Sequence, residues 1–586
     1  MVKENSLQYF LTKANEIEKR HFSKQVKIGI LSSFTINGLP ETIRVKCSDN
    51  DIECKYYIGG YDQYSQEIIS KNSELYKFSP DLVFLLLDVR SIFGDIFHDP
   101  YSLSLDDRKS ILSKKLEEIK NLVTTFSKNS NSKFIISNLV IPTFSSFGIN
   151  ETKLDFGFQE MILKFNSNLI SAFRNKNNVF VYDFNSFSSK YGQKNIFDFK
   201  NFLFGNIQIS FDYVPYLANE LISYVNALLG LTKKCIVLDL DDTLWGGIVG
   251  EEGFENIKLG PQPPGNAFLE FQKTLKALKQ RGIILAIDSK NNPDDALQVI
   301  KEHPYMVLRE SDFSCMKINW NDKVENMKEI SQELNIGLDS MVFFDDDKVN
   351  CEYMTLSLPQ VKVVNLSGDP SYFAEILQDM NDFDSLKITD EDLNRTQMYS
   401  EQLKRDELKN SNISMDDFLK NLNMDITIKQ SNNFTIPRIS QLTLKTNQFN
   451  LTTKRYQEEE IRKLTDDKNF LVGCAQVQDK FGDNGITGVF IVDKHNSEEW
   501  FLDSFLLSCR IMGREIEKAI LNYIIDQAKK NNVKKIVAKY VPTQKNKPVE
   551  SFLPKCGFSQ SGDKWVYDVN NSLKLPDFLS VTVENE

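Results

Sequence analysis

At 586 residues the chain is longer than one hydrophobic core usually fills, so it predicts several domains. Apolar residues make up 41% and charged residues 26%, an ordinary globular balance, and the net charge of −11 argues against nucleic acid as the main partner. No apolar run approaches the roughly 20 residues that span a bilayer, which argues against a membrane partner. The first 22 residues are charged and amphipathic and contain no signal-type apolar stretch. The eight cysteines are scattered without a CxxC pair, as expected of reduced thiols, so the expected setting is cytoplasmic.

Residues 26–185 alternate short apolar runs with longer mixed segments. VKIGILSS (26–33), PDLVFLLLDV (80–89), SKFIISNLV (132–140) and NVFVYDF (178–184) read as strands of a parallel sheet covered on both faces. An amphipathic helix over 214–229 ends at Gly230. A second α/β series opens at KCIVLDLDDTLW (234–245). A helix over 266–281 follows, then strand 283–288 and a helix over 293–302 that opens with Pro293. Trp320, Val324, Met327, Ile330 and Leu334 form the stripe of a further helix, and strands close the series at 341–346 and 361–366. Residues 386–424 are charged and read as a helical connector. From 425 the pattern becomes α+β: FLVGCAQVQ, ITGVFIVD and EEWFLDSFLLS read as antiparallel strands, with Asp483-Asn484-Gly485 as the first turn. A helix (515–530) and a strand (535–541) follow. The predicted domains are 1–230, 231–385, the connector 386–424, and 425–575.

Two acidic clusters each end an apolar strand: Asp239 with Asp241, and Asp345 with Asp346 and Asp347. Carboxylates at the carboxyl ends of parallel strands stand where ligands bind. Side by side, two such clusters make an oxygen-ligand site suited to Mg²⁺. One acidic cluster alone is usually a solvated turn; two, with Ser289 and Lys323 between them, are not.

These residues resemble the four motifs of the haloacid dehalogenase (HAD) superfamily, in order: Asp239-x-Asp241-x-Thr243, Ser289, Lys323 and Asp345-Asp346. The resemblance implies that Asp239 attacks phosphorus and that Asp241 is the general acid and base. It implies that Thr243, Ser289 and Lys323 hold the phosphate. Mg²⁺ would be held by Asp239, the Asp241 carbonyl, Asp345 and Asp346. The short intervals between motifs leave no room for a large cap, so the site is expected to be open.

LDLDDTLWGGIVGEEG (238–253), DSKNNPDDA (288–296), INWNDKVENMKEI (318–330) and LDSMVFFDDD (338–347) resemble the FkbH-like family, subclass IIIC of that superfamily. So do LKTNQFNLTTKRY (444–456) and LDSFLLSCRIMGREIE (502–517). The implied architecture is a flavodoxin-like SGNH-type α/β domain, a capless HAD Rossmann-like domain, a helical connector and an α+β GNAT-like domain. The implied activity is transfer of a glyceryl group from 1,3-bisphosphoglycerate, with loss of phosphate, onto an acyl carrier protein. Two positions depart from the family pattern. Asp288 stands where glyceryl-transferring members carry an acyl-accepting cysteine, and Asp347-Lys348 replaces an expected Asn-Pro or Asp-Pro.

The N-terminal domain offers Ser32 or Ser33 as a nucleophile but no late histidine, since Asp212-Tyr213-Val214-Pro215 occupies that place, so a noncatalytic unit is expected. In the last domain, Arg510, Gly513 and Arg514 are candidates for a carrier or pantetheine site at a helix start, although Glu515 would repel a pyrophosphate. The alternatives are a HAD phosphatase or phosphotransferase on another phosphorylated or carrier-bound substrate and, more remotely, a nonenzymatic assembly factor.

Overall fold

The computed structural model describes residues 6–17, 20–389, 391, 398, 401, 405, 408, 414–543 and 545–584. Of the connector predicted over 386–424, most of 390–413 lies outside the described residues. The chain divides into two compact units, Met1–Asn226 and Ala227–Glu586. Among the described residues no helix is long and apolar enough to cross a membrane.

The first unit is a parallel α/β layer structure. Its strands are β1 (Lys24–Ser32), β2 (Ile52–Ile58), β3 (Leu82–Leu86), β4 (Lys133–Ser137) and β5 (Val179–Tyr182), in the order β2-β1-β3-β4-β5. Strand β2, IECKYYI, lies at one edge of the sheet and lacks the continuous apolar run of β3. The helices Leu105–Asn129 and Phe158–Phe173 send Leu112, Ile119, Phe126, Phe165 and Leu169 into the core against Leu85, Phe134 and Ile136.

The second unit holds two sheets. The first is parallel, with β6 (Cys235–Leu238), β7 (Ile284–Ser289), β8 (Phe313–Ile318), β9 (Met341–Asp345) and β10 (Lys362–Asn365), in the order β10-β9-β6-β7-β8. Successive residues of a strand face opposite ways. Thus Val237, Ala286 and Phe343 pack on the helix Lys323–Glu333 through Val324, Met327 and Ile330. Leu238, Ile287 and Phe344 pack on the helix Gly265–Gln280 through Phe271 and Leu275. Trp320 does not join the predicted stripe. The helix begins only at Lys323, because the Asp322 carboxylate caps it by accepting from the Val324 N–H at 2.8 Å, and Trp320 stays 71% exposed in the preceding loop.

The second sheet is mixed and flanked by helices, as the α+β pattern predicted. It contains β11 (Met424–Gln430), β12 (Phe449–Asn450), β13 (Phe470–Asp479), β14 (Gly482–Asp493), β15 (Glu499–Leu507), β16 (Lys535–Ala538), β17 (Ser559–Ser561), β18 (Lys564–Asp568) and β19 (Leu579–Glu584). The turn between β13 and β14 is Lys480-Phe481, not the predicted Asp483-Asn484-Gly485. Asp479 is fixed at the turn by Arg405, Arg514 and the Phe481 N–H, and Gly485, with φ +68°, serves instead in an irregularity of β14.

Strands β15 and β16 pair in parallel only over 499–502 and 535–538. Beyond that point β12 pairs with β15, Leu451 donates its N–H to the Phe505 carbonyl at 3.1 Å, and Val541 donates to the Leu451 carbonyl at 2.8 Å. The Asn546 amide ties Asn450 and Val541 together through their carbonyls. The chain thus fills the gap between its own diverging strands.

Candidate active site

The acidic clusters meet at the carboxyl edge of the parallel sheet β6–β10. Asp239 follows β6, Ser289 ends β7, Lys323 opens its helix, Asp345 ends β9 and Asp346 follows it. The Lys323 ammonium bridges Asp239 Oδ2 at 2.9 Å and Asp345 Oδ2 at 2.6 Å. Both carboxylates are buried, and their charges hold the lysine above its ordinary range against the opposing effect of burial. Asp239 Oδ1 accepts from the Leu240 N–H at 2.8 Å, so the side chain is held at both oxygens. Ser289 is buried beside these groups, at the end of the strand next to Asp239. Thr243 is also fully buried, and its hydroxyl is directed at Asp346 Oδ1, 3.4 Å away.

Oxygens of Asp239, Asp345 and Asp346 lie within 4.8 Å of one another. Three hard oxygen donors at that spacing fit Mg²⁺. Burial, then the charges of Asp239 and Asp345, push the Asp346 carboxyl up to about 7, and burial with Asp239 raises Asp345 as well. A cation therefore displaces a proton near neutrality. Magnesium affinity is expected to weaken by up to about tenfold per pH unit below pH 7. Calorimetric titration in two buffers of different ionisation enthalpy measures both the affinity and the released proton. A dissociation constant unchanged from pH 5.5 to 8 would refute this.

The Asp241 carboxylate is not part of that triad. Its Oδ1 accepts from Trp245 Nε1 at 2.8 Å and from the Val249 N–H at 3.1 Å, and its Oδ2 accepts from Asn291 Nδ2 at 2.7 Å. Residues 240–258 form a flap closed by the Gly246–Lys258 bridge, and Gly247 turns it at φ +91°. Gln272, fully buried, anchors the flap base by donating to the Leu244 carbonyl and accepting from Val307 and Leu308. Sequence patterning missed Trp245, Gln272 and Asn291. No inserted domain separates Asp239, Ser289 and Lys323, since the intervals hold only the flap, two longer helices, a single 3-10 turn and two strands.

Asp288 is completely buried on the face toward the helix Lys323–Glu333. Its Oδ1 accepts from Asn326 Nδ2 at 3.0 Å, while its Oδ2 has no partner. Burial pushes its carboxyl up to about 8.

The other candidates lie elsewhere. Arg514 does not line an open cradle: its guanidinium is buried against Asp479 at 3.1 Å, beside the bidentate Arg405–Asp479 pair. With its guanidinium committed to Asp479, Arg514 is not presented to an anion at the helix start. Arg510 donates toward the Met398 sulfur and, at 3.5 Å, toward Ser508. Gly513 has φ +75°, and Glu515 stands at the N-cap position of the helix Ile516–Lys530 without a side-chain capping bond, paired with Lys518. In the first unit Ser33 is buried and its Oγ accepts from the Asp88 N–H at 2.8 Å. The Asp88 carboxylate is taken up by Arg90, Ser91 and Gln208.

Residues 27–226 match the FkbH N-terminal domain family. The N-terminal part of a Bacteroides fragilis protein, solved as a structure containing a phosphatase domain complexed with magnesium, is 28% identical over 65% of this chain and 99% of its own, with a TM-score of 0.60. A spermidine N-acetyltransferase mutant from Vibrio cholerae is 14% identical over 25% of this chain and 94% of its own, with a TM-score of 0.20. A domain from Methanocaldococcus jannaschii is 14% identical over 25% and 97%, with a TM-score of 0.21. No curated protein matches the chain. Residues 27–226 thus carry an FkbH N-terminal domain, and the likeness to the Bacteroides structure with its phosphatase domain supports an enzyme of the haloacid dehalogenase phosphatase and transferase type.

Proposed function

We propose that Asp239 takes phosphate from a phosphorylated three-carbon acyl donor, 1,3-bisphosphoglycerate, as the glyceryl group passes to an acyl carrier protein. The observation that supports the phosphate chemistry is the Asp239–Lys323–Asp345 bridge beside Asp346, at the open end of the sheet. Asp239 attacks the phosphorus of the donor's ester-linked phosphate, and the P–O bond breaks with its electron pair going to the alcohol oxygen. The Asp241 carboxyl gives that oxygen its proton and, as carboxylate, then takes one from the water that hydrolyses the aspartyl-phosphate. This returns both side chains and releases phosphate. Lys323 and Ser289 hold the phosphoryl oxygens. Magnesium, held by Asp239, Asp345 and Asp346 with the Asp241 carbonyl, supplies the positive charge that offsets repulsion between phosphate and carboxylates. The Bacteroides relative's magnesium complex supports that assignment.

The acyl group does not rest on residue 288, because a fully buried carboxylate cannot carry a thioester. Nor do Cys315 and Cys351 replace it, since both thiols are buried and raised by that burial, Cys351 to about 11. In this reading the carrier's own thiolate attacks the acyl carbon, and the C–O bond to the acyl phosphate breaks with inorganic phosphate as the leaving group. The same observation favours a second reading, a phosphatase or phosphotransferase on another phosphorylated or carrier-bound substrate. Incubation with 1,3-bisphosphoglycerate, Mg²⁺ and a phosphopantetheinylated carrier, followed by mass analysis of the carrier, separates the two. A glyceryl mass gain that Asp239→Asn abolishes is expected. No gain with several carriers, alongside Asp239-dependent release of phosphate from sugar phosphates, overturns the first reading for the second.

A further inference from the structure

Asp241 stands three residues past β6, at the start of the flap, and its two oxygens are both occupied, one from further along the flap and one from the loop after β7. The flap side is Trp245 Nε1 and the Val249 N–H, on Oδ1. The loop side is Asn291 Nδ2, on Oδ2, and at 2.7 Å it is the shortest of the three. Asn291 is itself buried, and its Oδ1 accepts from the Asn292 N–H at 3.0 Å, which fixes the orientation of the amide and presents its NH₂ to Asp241. The loop carrying Asn291 runs directly into the helix Pro293–Glu302. A carboxylate gripped from two separate elements cannot swing about its terminal torsion, a motion that is otherwise broad.

We propose that Asn291 is a positioning residue that acts through Asp241, fixing the carboxyl group that serves the leaving oxygen, with Trp245 as its counterpart on the flap. The proposal rests on Asp241 being the proton donor of the phosphoryl transfer described above. It predicts which substrates need Asn291. A leaving oxygen that departs readily as an anion gains little from a well-placed proton, whereas a basic one gains most. Asn291 therefore matters most for phosphate esters of weakly acidic alcohols and phenols, and least for activated esters and acyl phosphates.

The test compares p-nitrophenyl phosphate with phenyl phosphate in Mg²⁺, under single-turnover conditions, for wild type, Asn291→Ala, Asp241→Asn and the double variant. Asn291→Ala is expected to lower the rate on phenyl phosphate by about ten- to a hundredfold, and on p-nitrophenyl phosphate by no more than about threefold, with KM nearly unchanged. In the Asp241→Asn background, Asn291→Ala should cause no further loss, because two residues that act as a unit are not additive. Equal losses on both substrates, or losses that multiply in the double variant, overturn the proposal in favour of a merely structural amide. Asn291→Ser, smaller and still polar, repeats the comparison if the alanine variant does not fold. Trp245→Phe should show the same leaving-group signature from the flap side. If wild type shows no Asp239-dependent turnover of either ester, the phosphatase reading itself falls; if it does and the Asn291 pattern is absent, only the present inference falls.

Discussion

Asp239→Asn is expected to lower phosphate release by at least about ten-thousandfold while the protein stays folded. An amide has no oxygen nucleophile to offer phosphorus, and the metal triad falls to two carboxylates, Asp345 and Asp346. The fold should survive because each contact has a substitute. An asparagine oxygen still accepts from the Leu240 N–H or from Lys323, and Lys323 keeps Asp345 at 2.6 Å. Phosphate release from p-nitrophenyl phosphate measures the rate, and acid quenching of a reaction with labelled substrate measures the phosphoenzyme. A variant that keeps a tenth of the wild-type rate, or still traps label on the protein, would place the nucleophile elsewhere.

Asp288→Asn is expected to change the pH dependence of stability in the opposite sense to most aspartate substitutions. The native carboxyl is pushed up to about 8, whereas an unfolded aspartate titrates near 4. A raised native value means that the native state keeps a proton which the unfolded chain has released. Metal-free wild-type protein is therefore unpenalised at this residue below about pH 4, and loses about 1.4 kcal/mol per pH unit from there to about pH 8. Asparagine carries no charge at any pH and fills the same space, although its NH₂ stands where Oδ2 already lacks a partner. Allowing about 1–3 kcal/mol for that unpaired donor, the variant should be the less stable form near pH 4 and about 2–4 kcal/mol the more stable near pH 8. Hydrogen exchange at the amides of β6, β7 and β9, in chelator, reads this on the sheet concerned. Parallel pH profiles for the two proteins would show that Asp288 is ionised in the native state. The crossing of the profiles also bears on function, because a side chain that stays neutral and inaccessible through physiological pH is a poor site for acyl chemistry.

What was legible in the sequence was whatever repeats at short range. The strands β1, β3, β4, β6, β7 and β9 are continuous apolar runs, and the carboxylates that end β6 and β9 announced the site. Position-dependent chemistry was less legible. Trp320 fits a helical period but falls outside the helix, because the cap at Asp322 sets the start. Strand β2, at one edge of the sheet, hides among two tyrosines and a lysine that break any apolar run. Arg514 looked like an anion ligand until Asp479, 35 residues earlier in the chain, proved to hold it. The hydrogen bonds of Trp245 and Asn291 to Asp241 carry no sequence signal, because they exist only once the flap and the loop after β7 are folded against each other.

The segment 449–451, lodged between β15 and the end of β16, has a consequence for recognition. An extended ligand can be gripped by a sheet only where main-chain donors and acceptors are left over. Here the Phe505 carbonyl is taken by Leu451, and the Leu451 carbonyl by Val541. The last domain therefore presents a sealed wall at that place. Whatever it recognises there must be read by side chains on its surface, so its specificity would follow the identity of residues rather than the shape of a peptide-like arm.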